Sequence, residues 1–196
     1  MSSVAALILA AGASTRMGAP KAMIKLQGRS FLERLGCSLL EAGYSPIIVL
    51  RGASQFPVTA PLQALDHPEW NQGPLSSLQR GIRALPDGIS GALQCPVDRP
   101  RIASQTLSLL RQAHLVEPDF LWQPRYAGRS GHPLLWPRCL WPQLLSLDSQ
   151  DPSLSARTLI RSASVAPLRR YLDVQDPTIH DNFDRPEDLP LETRDT

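Results

Sequence analysis

The chain has 196 residues, 42% of them hydrophobic, and a formal charge of +2 at pH 7. That length suits one domain with a sizeable core, and the near-balance of charge removes any electrostatic case for nucleic acid or a membrane surface. Cys37, Cys95 and Cys139 are an odd number with no Cys-x-x-Cys pair, which fits free thiols in a reducing cytosol better than a disulfide framework or a zinc site.

Val4 to Leu9 is a continuous apolar run, as expected of a strand buried on both faces of a parallel sheet. It imitates a signal peptide but lacks a basic n-region before it, and no other run approaches membrane-spanning length. The expectation is a soluble, cytoplasmic protein. From Ala10 to Pro20 the residues turn small, with Gly12, Ser14 and Gly18 among them, and two cations follow at Arg16 and Lys21. Small residues let main-chain N–H groups approach an anion, and a cation beyond them can neutralise it. The expected ligand is a nucleotide phosphate. The closing Gly-Lys-Ser/Thr of a Walker A loop is absent, and so is Gly-x-Gly-x-x-Gly, because Gly12 is followed by Ala13 and Ser14.

Ala22–Leu26 reads as a short extended piece ending in a turn at Gln27-Gly28. Ser30 with Glu33 forms a capping box, Leu32, Leu35 and Leu39 share a helical face, and Gly43 stops the helix. Pro46–Leu50 is the next strand, 53–61 is loop, and Leu62–Leu65 is a short strand. Pro74 then opens a helix running through Leu85, with Ser76 and Ser77 in its first turn. Free N–H groups and hydroxyls there can meet a polar ligand, although serine at a helix start also serves as ordinary helix-start chemistry. Gly91–Pro96 is a further central strand, with Asp98 at its carboxyl end, where ligands of open α/β sheets gather. Asp98 could hold a metal over phosphates in the first loop; starting the helix 103–113, or pairing with Arg99 or Arg101, are the plainer uses.

In the second half, Phe120–Trp122 reads as a strand and 125–129 as a turn. Ser155–Arg161 reads as a helix and Leu168–Val174 as a late strand. His67, His114 and His180 show no partner pattern that would support a histidine metal cluster. The four tryptophans, Trp70, Trp122, Trp136 and Trp141, fit core or rim packing. Residues 190–196 are expected to be frayed. No repeat or linker divides the chain, so one domain covers 1–196, with its core over about 4–189.

From Leu9 to Lys21 the chain resembles, position for position, the Leu-Ala-Ala-Gly-x-Ser-x-Arg-Met-Gly-x-x-Lys signature of MobA/MocA-like nucleotidyltransferases. The likeness continues through Gly73, Ser76, Ser77 and Leu78, the Asp98-x-Pro100 setting, Gly131–Trp136, which resembles the family's Gly-His-Pro strand, and a weaker element at 156–160. It ends at 181–189, where Asn182 and Arg185 depart from the family's Asp-Ile-Asp-Thr-Pro-Glu-Asp-Leu; Arg99 also stands where many relatives have glutamine. The resemblance implies a nucleotide-diphospho-sugar transferase-like, Rossmann-like fold: a three-layer α/β/α sandwich with a mainly parallel sheet.

The same resemblance assigns Arg16, Lys21 and Asp98 to catalysis, and Leu9, Ala10, Ala11, Gly12, Ser14, Gly73, Ser76 and Ser77 to the nucleotide. It puts Gly131 and His132 on the acceptor side and gives Mg²⁺ to Asp98 and Asp184, with Asp181 or Asn182 as substitutes. The implied reaction moves a nucleoside monophosphate from a nucleoside triphosphate, CTP or GTP, to a phosphorylated acceptor and releases pyrophosphate. The Leu9-Ala10-Ala11-Gly12 form favours CTP, with molybdopterin as acceptor and a molybdoenzyme or maturation factor as protein partner. A sugar 1-phosphate acceptor, or a non-catalytic nucleotide-binding accessory protein, are the alternatives.

Overall fold

Alternation along the first strand splits the hydrophobic core in two. The computed structural model describes residues 3–190. In β1 (Ser3–Leu9), Val4, Ala6 and Ile8 pack into one apolar cluster, while Ala5 and Leu7 pack into the other. Successive side chains of a strand point to opposite faces, so a run apolar at every position must be covered on both sides.

A small hairpin follows, β2 (Lys25–Leu26) with β3 (Arg29–Ser30), and leads into α1 (Phe31–Glu41). The Ser30 hydroxyl accepts from the Glu33 amide, and the Glu33 carboxylate accepts from the Ser30 amide, which fixes the start of α1. Then come β4 (Ile47–Arg51), β5 (Gln63–Asp66), α2 (Pro74–Arg83), β6 (Ile89–Pro96) and α3 (Ser104–Val116). The chain continues through β7 (Leu121–Tyr126), β8 (Arg129–Ser130), β9 (Leu134–Pro137), α4 (Trp141–Leu145), α5 (Ala156–Arg161) and β10 (Arg169–Asp173).

The main sheet runs β10-β7-β9-β6-β1-β4-β5, with β8 paired to β7. β1 is parallel to both β4 and β6, β4 to β5, and β10 to β7; β9 runs antiparallel to β6 and β7. α1 and α3 cover one face through Leu35, Leu39, Leu107 and Leu110, and α2, α4 and α5 cover the other through Leu78, Ile82, Leu144, Leu159 and Ile160. The result is the expected three-layer α/β/α sandwich. α2 lies close against the sheet because Gly81 has no side chain: a Cβ there would sit 2.9 Å from Leu7 Cδ1. No helix among the described residues is long and apolar enough to cross a membrane.

Some boundaries differ from the sequence reading. α2 ends at Arg83 rather than Leu85, and α3 runs on to Val116. Arg125 and Tyr126 belong to β7, so the turn there is only Ala127-Gly128, both at positive φ. Gly131–Pro133 is not strand: the Gly131 and His132 amides donate to Pro124 O and Ile179 O, so the ladder with β6 starts only at Leu134. The expected fraying over 190–196 concerns residues that, Pro190 apart, lie outside those described.

Candidate active site

From β1 the chain moves outward on one side to β4 and β5, then returns to place β6 on the other side of β1. That reversal leaves a crevice at the carboxyl ends of β1 and β6, where Leu9 pairs with Pro96. The Val97 amide donates to Leu9 O at 3.2 Å, which carries the pairing one residue further and sets Asp98 opposite the loop that follows β1.

That loop is tied down at both ends. The Ala10 amide donates to Leu50 O at 3.1 Å, and Ala11 O accepts from the Ala53 amide at 3.0 Å. Gly52 permits this approach, because a Cβ would lie 2.4 Å from Trp70 Cβ and 2.6 Å from Ala11 O. Ser14 adopts a left-handed conformation (φ 52°), and its hydroxyl accepts from the Lys21 amide at 3.1 Å. The far end of the loop is thereby fixed so that Lys21 reaches across the crevice. Around Gly12 a Cβ would meet nothing within 4 Å, which leaves open space above the backbone.

Lys21 Nζ donates to Asp98 Oδ2 at 3.2 Å and also to Asp184 Oδ1. Asp184 arrives on a segment pinned by several contacts. The Phe183 amide donates to Asp98 O at 3.0 Å, the Phe183 ring packs against Phe31, and the amides of Asp184 and Arg185 both donate to Asp188 Oδ2 at 2.8 Å. Lys21, by its hydrogen bond first, draws the Asp184 carboxyl below the usual aspartate range. Asn182 Nδ2 donates to Asp184 Oδ2 at 2.7 Å, so the residue that departs from the family pattern orients this carboxylate. Asp181 instead pairs with Arg101, Nε to Oδ2 at 3.3 Å.

A cavity of about 440 Å³ opens on this triad. Leu9, Ala10, Ala11, Gly12, Ser14, Arg16 and Lys21 form one wall, Gly73 and Ser77 another, and Asp98, His132 and Asp184 close it, with Trp70 on the rim. Ser76 and Gly131 lie elsewhere. The Ser76 hydroxyl is buried, donates to Gly73 O at 2.8 Å and lies 2.9 Å from His67 Nε2, so it braces the turn before α2. Gly131 faces a second, adjoining cavity of about 750 Å³, and a Cβ there would sit 2.5 Å from Ile179 O. The two cavities share Gly73, Pro74, Gln94 and His132.

His132 stands at the junction. Burial, helped by the nearby Arg99 charge, pushes its pKa down to about 4, so the imidazole is neutral at pH 7. Its Nδ1 is buried without a partner among the described residues. Arg99 was not singled out as a site residue by sequence, yet its Nη1 donates to Ile179 O at 3.1 Å and Asp181 O at 2.6 Å, bracing the segment that delivers Asp184. Burial lowers the Arg99 pKa against the opposing pull of Asp98, Asp181 and Asp184.

Asp98 Oδ1 is buried with no hydrogen-bond partner, and its other oxygen shares a cation with Asp184. A pair of carboxylates already arranged around a positive charge fits a divalent ion. No group of three or more His, Cys, Asp or Glu among the described residues could hold a metal. The donor set therefore suits an ion that takes few protein ligands and completes its shell with phosphate oxygens and water, as Mg²⁺ does.

Residues 6–168 match the family described as MobA-like NTP transferase domain. A molybdenum cofactor guanylyltransferase of Sinorhizobium fredii is 31% identical over 88% of this chain and 86% of its own. A probable molybdenum cofactor guanylyltransferase of Opitutus terrae is also 31% identical, but the match covers 57% of this chain and 56% of that one. The nicotine blue oxidoreductase of Paenarthrobacter nicotinovorans is 28% identical over 81% of each. In fold, the crystal structure of Rv0371c from Mycobacterium tuberculosis superposes with a TM-score of 0.77 at 20% identity over 96% of both chains.

Proposed function

The chain belongs to the MobA-like NTP transferases, and from that premise we propose that it moves a nucleoside monophosphate from a nucleoside triphosphate to a phosphorylated acceptor. The convergence of Lys21, Asp98 and Asp184 on one crevice, beneath a loop of open main-chain groups, carries this reading. No protein nucleophile is required. An oxygen of the acceptor's phosphate attacks the α-phosphorus in line, and the bond to pyrophosphate breaks. The protein's work is alignment and charge neutralisation.

Main-chain N–H groups around Gly12, together with Arg16, hold the triphosphate. Lys21 exchanges its carboxylate partners for phosphate oxygens. Asp98 and Asp184 would hold Mg²⁺, which when bound supplies positive charge at the phosphate oxygens. His132, neutral and buried at the junction of the two cavities, accepts or donates a hydrogen bond to the incoming acceptor without adding charge.

CTP is the nucleotide favoured by resemblance, because the Leu9-Ala10-Ala11-Gly12 form is that of cytidylyltransferases where guanylyltransferases have Leu-Ala-Gly-Gly. GTP is the second reading, supported by relatives named guanylyltransferases. Those names also support molybdopterin as the acceptor. An oxidoreductase reading finds no support in the loop after β1, where a dinucleotide fingerprint is absent.

The test is Mg²⁺-dependent pyrophosphate release with each of CTP, GTP, ATP and UTP, with molybdopterin as acceptor. Release with CTP upholds the leading reading, and release with GTP alone transfers it to guanylyl transfer. Nucleotide binding without release under any acceptor tried would establish a non-catalytic binder instead.

A further inference from the structure

The second cavity is lined by five arginines, Arg99, Arg129, Arg157, Arg161 and Arg169, against one carboxylate, Asp151. Arg99 is occupied with backbone carbonyls, and Arg169 lies over the Tyr171 ring at 4.8 Å. The side chains of Arg129, Arg157 and Arg161 have no hydrogen-bond or carboxylate partner among the described residues. Arg157 and Arg161 lie one turn apart on α5, a spacing at which like charges repel and destabilise a helix. The helix is held regardless, by the capping box of Ser155 with Thr158 and by buried Leu159 and Ile160. Exposed guanidinium groups that line one cavity in excess over its single carboxylate are arranged for an anion.

Arg157 and Arg161 lie on α5, Arg169 on β10 and Arg129 on β8, and none is among the residues shared with the nucleotide cavity. A phosphate placed to attack beside Asp98 and Lys21 would leave them unpaired. We propose that Arg157 and Arg161, with Arg129 and Arg169, form a second anion subsite, and that the acceptor carries an anionic group at the end remote from the phosphate that reacts. This rests on the nucleotidyl-transfer reading for the identity of the cavity as the acceptor's, but the subsite binds without turnover. Its occupant is a small phosphorylated molecule with acidic groups at two ends, of a size that about 750 Å³ accommodates.

The experiment is calorimetric titration of the full chain, at fixed ionic strength, with glucose 1-phosphate and with glucose 1,6-bisphosphate. The bisphosphate binds at least about tenfold more tightly, as a second charge-assisted, bidentate contact requires. In the Arg157→Gln/Arg161→Gln variant that advantage falls below about threefold, while affinity for the nucleotide is unchanged. Arg80→Gln, on the exposed side of α2, leaves the advantage intact and separates the subsite from general surface charge. Equal binding of the two sugars, no binding of either, an advantage retained in the double variant, or the same loss in Arg80→Gln would each overturn the proposal. The readout needs no catalysis. Failure of the nucleotidyl-transfer reading would instead appear as absent pyrophosphate release.

Discussion

The ammonium of Lys21 lies 3.2 Å from Asp98 Oδ2, while Oδ1 of the same carboxylate is buried with no partner. Lys21 therefore satisfies one oxygen of a carboxylate whose other oxygen is left for the divalent ion proposed above. Replacing it removes the cation proposed to meet the phosphates and also the charge that lies between Asp98 and Asp184. Lys21→Ala should lose activity by roughly 3–4 kcal/mol in the barrier, about two to three orders of magnitude. The same variant should bind Mn²⁺ more tightly than the unchanged chain in the absence of nucleotide, because two carboxylates are left without their internal cation. Electron paramagnetic resonance of Mn²⁺ titrations measures this directly, and weaker binding would refute the arrangement.

Asp98→Asn should abolish Mg²⁺-dependent pyrophosphate release, with loss of at least about a hundredfold. Asp184→Asn should cost less, since Asp184 is the more exposed of the two. Steady-state kinetics over a range of Mg²⁺ concentrations separates them: extra Mg²⁺ partly rescues Asp184→Asn and does not rescue Asp98→Asn.

The two serines opening α2 should behave differently. Ser76→Ala leaves Gly73 O and His67 Nε2 without their shared hydroxyl, at a cost of about 1–3 kcal/mol in stability. Ser77→Ala should leave the melting temperature near its original value and weaken nucleotide binding, because Ser77 lines the cavity. Denaturant melts and nucleotide titrations on both variants check this; the reverse pattern would exchange their roles.

Gly52→Ala should disturb the loop through its base. The added methyl would fall 2.4 Å from Trp70 Cβ and 2.6 Å from Ala11 O, so either the loop or the rim must shift. Overpacking of this kind costs about 1–3 kcal/mol. Thermal unfolding and nucleotide affinity should fall together.

Acid should destabilise the protein through its buried imidazoles. His132 has a folded pKa of about 4 against an ordinary value of 6.5, and burial lowers His67 and His114 as well. Between pH 6.5 and 4 the unfolded chain binds more protons than the folded one, so stability falls as pH falls through this window. His132 alone accounts for about 3 kcal/mol of that decline. In His132→Gln the slope of unfolding free energy against pH should flatten over the same interval.

Much of this site is local in sequence and therefore legible there. The buried run of β1, the small residues and cations after it, and the Ser30–Glu33 capping box each occupy a short stretch with a single physical explanation. Asp98 was placed by the rule that ligands gather at strand ends. Asp184 came only through family likeness, because nothing local marks one acidic residue among Asp181, Asp184, Glu187 and Asp188. Ser76 and Ser77 were read alike although adjacent helical positions point about 100° apart, and only the packing of His67 decides which faces the cavity. The arginine wall had no signature, since its members come from separate elements between positions 99 and 169. The strand that family likeness implies over Gly131–Trp136 begins only at Leu134, because the Gly131 and His132 amides are satisfied by Pro124 and Ile179, contacts a motif does not carry.

Lys21 is separated from Asp98 by 77 positions and from Asp184 by 163. The entropy of closing such spans must be met before their contacts return anything, so long-range contacts of this kind form late in folding. The pairing of β1 with β6 spans just as far and carries both the loop and Asp98, so the two walls of the crevice depend on the same long-range contacts. In refolding experiments the affinities for nucleotide and for a divalent ion should therefore return together, so that half a site is never built.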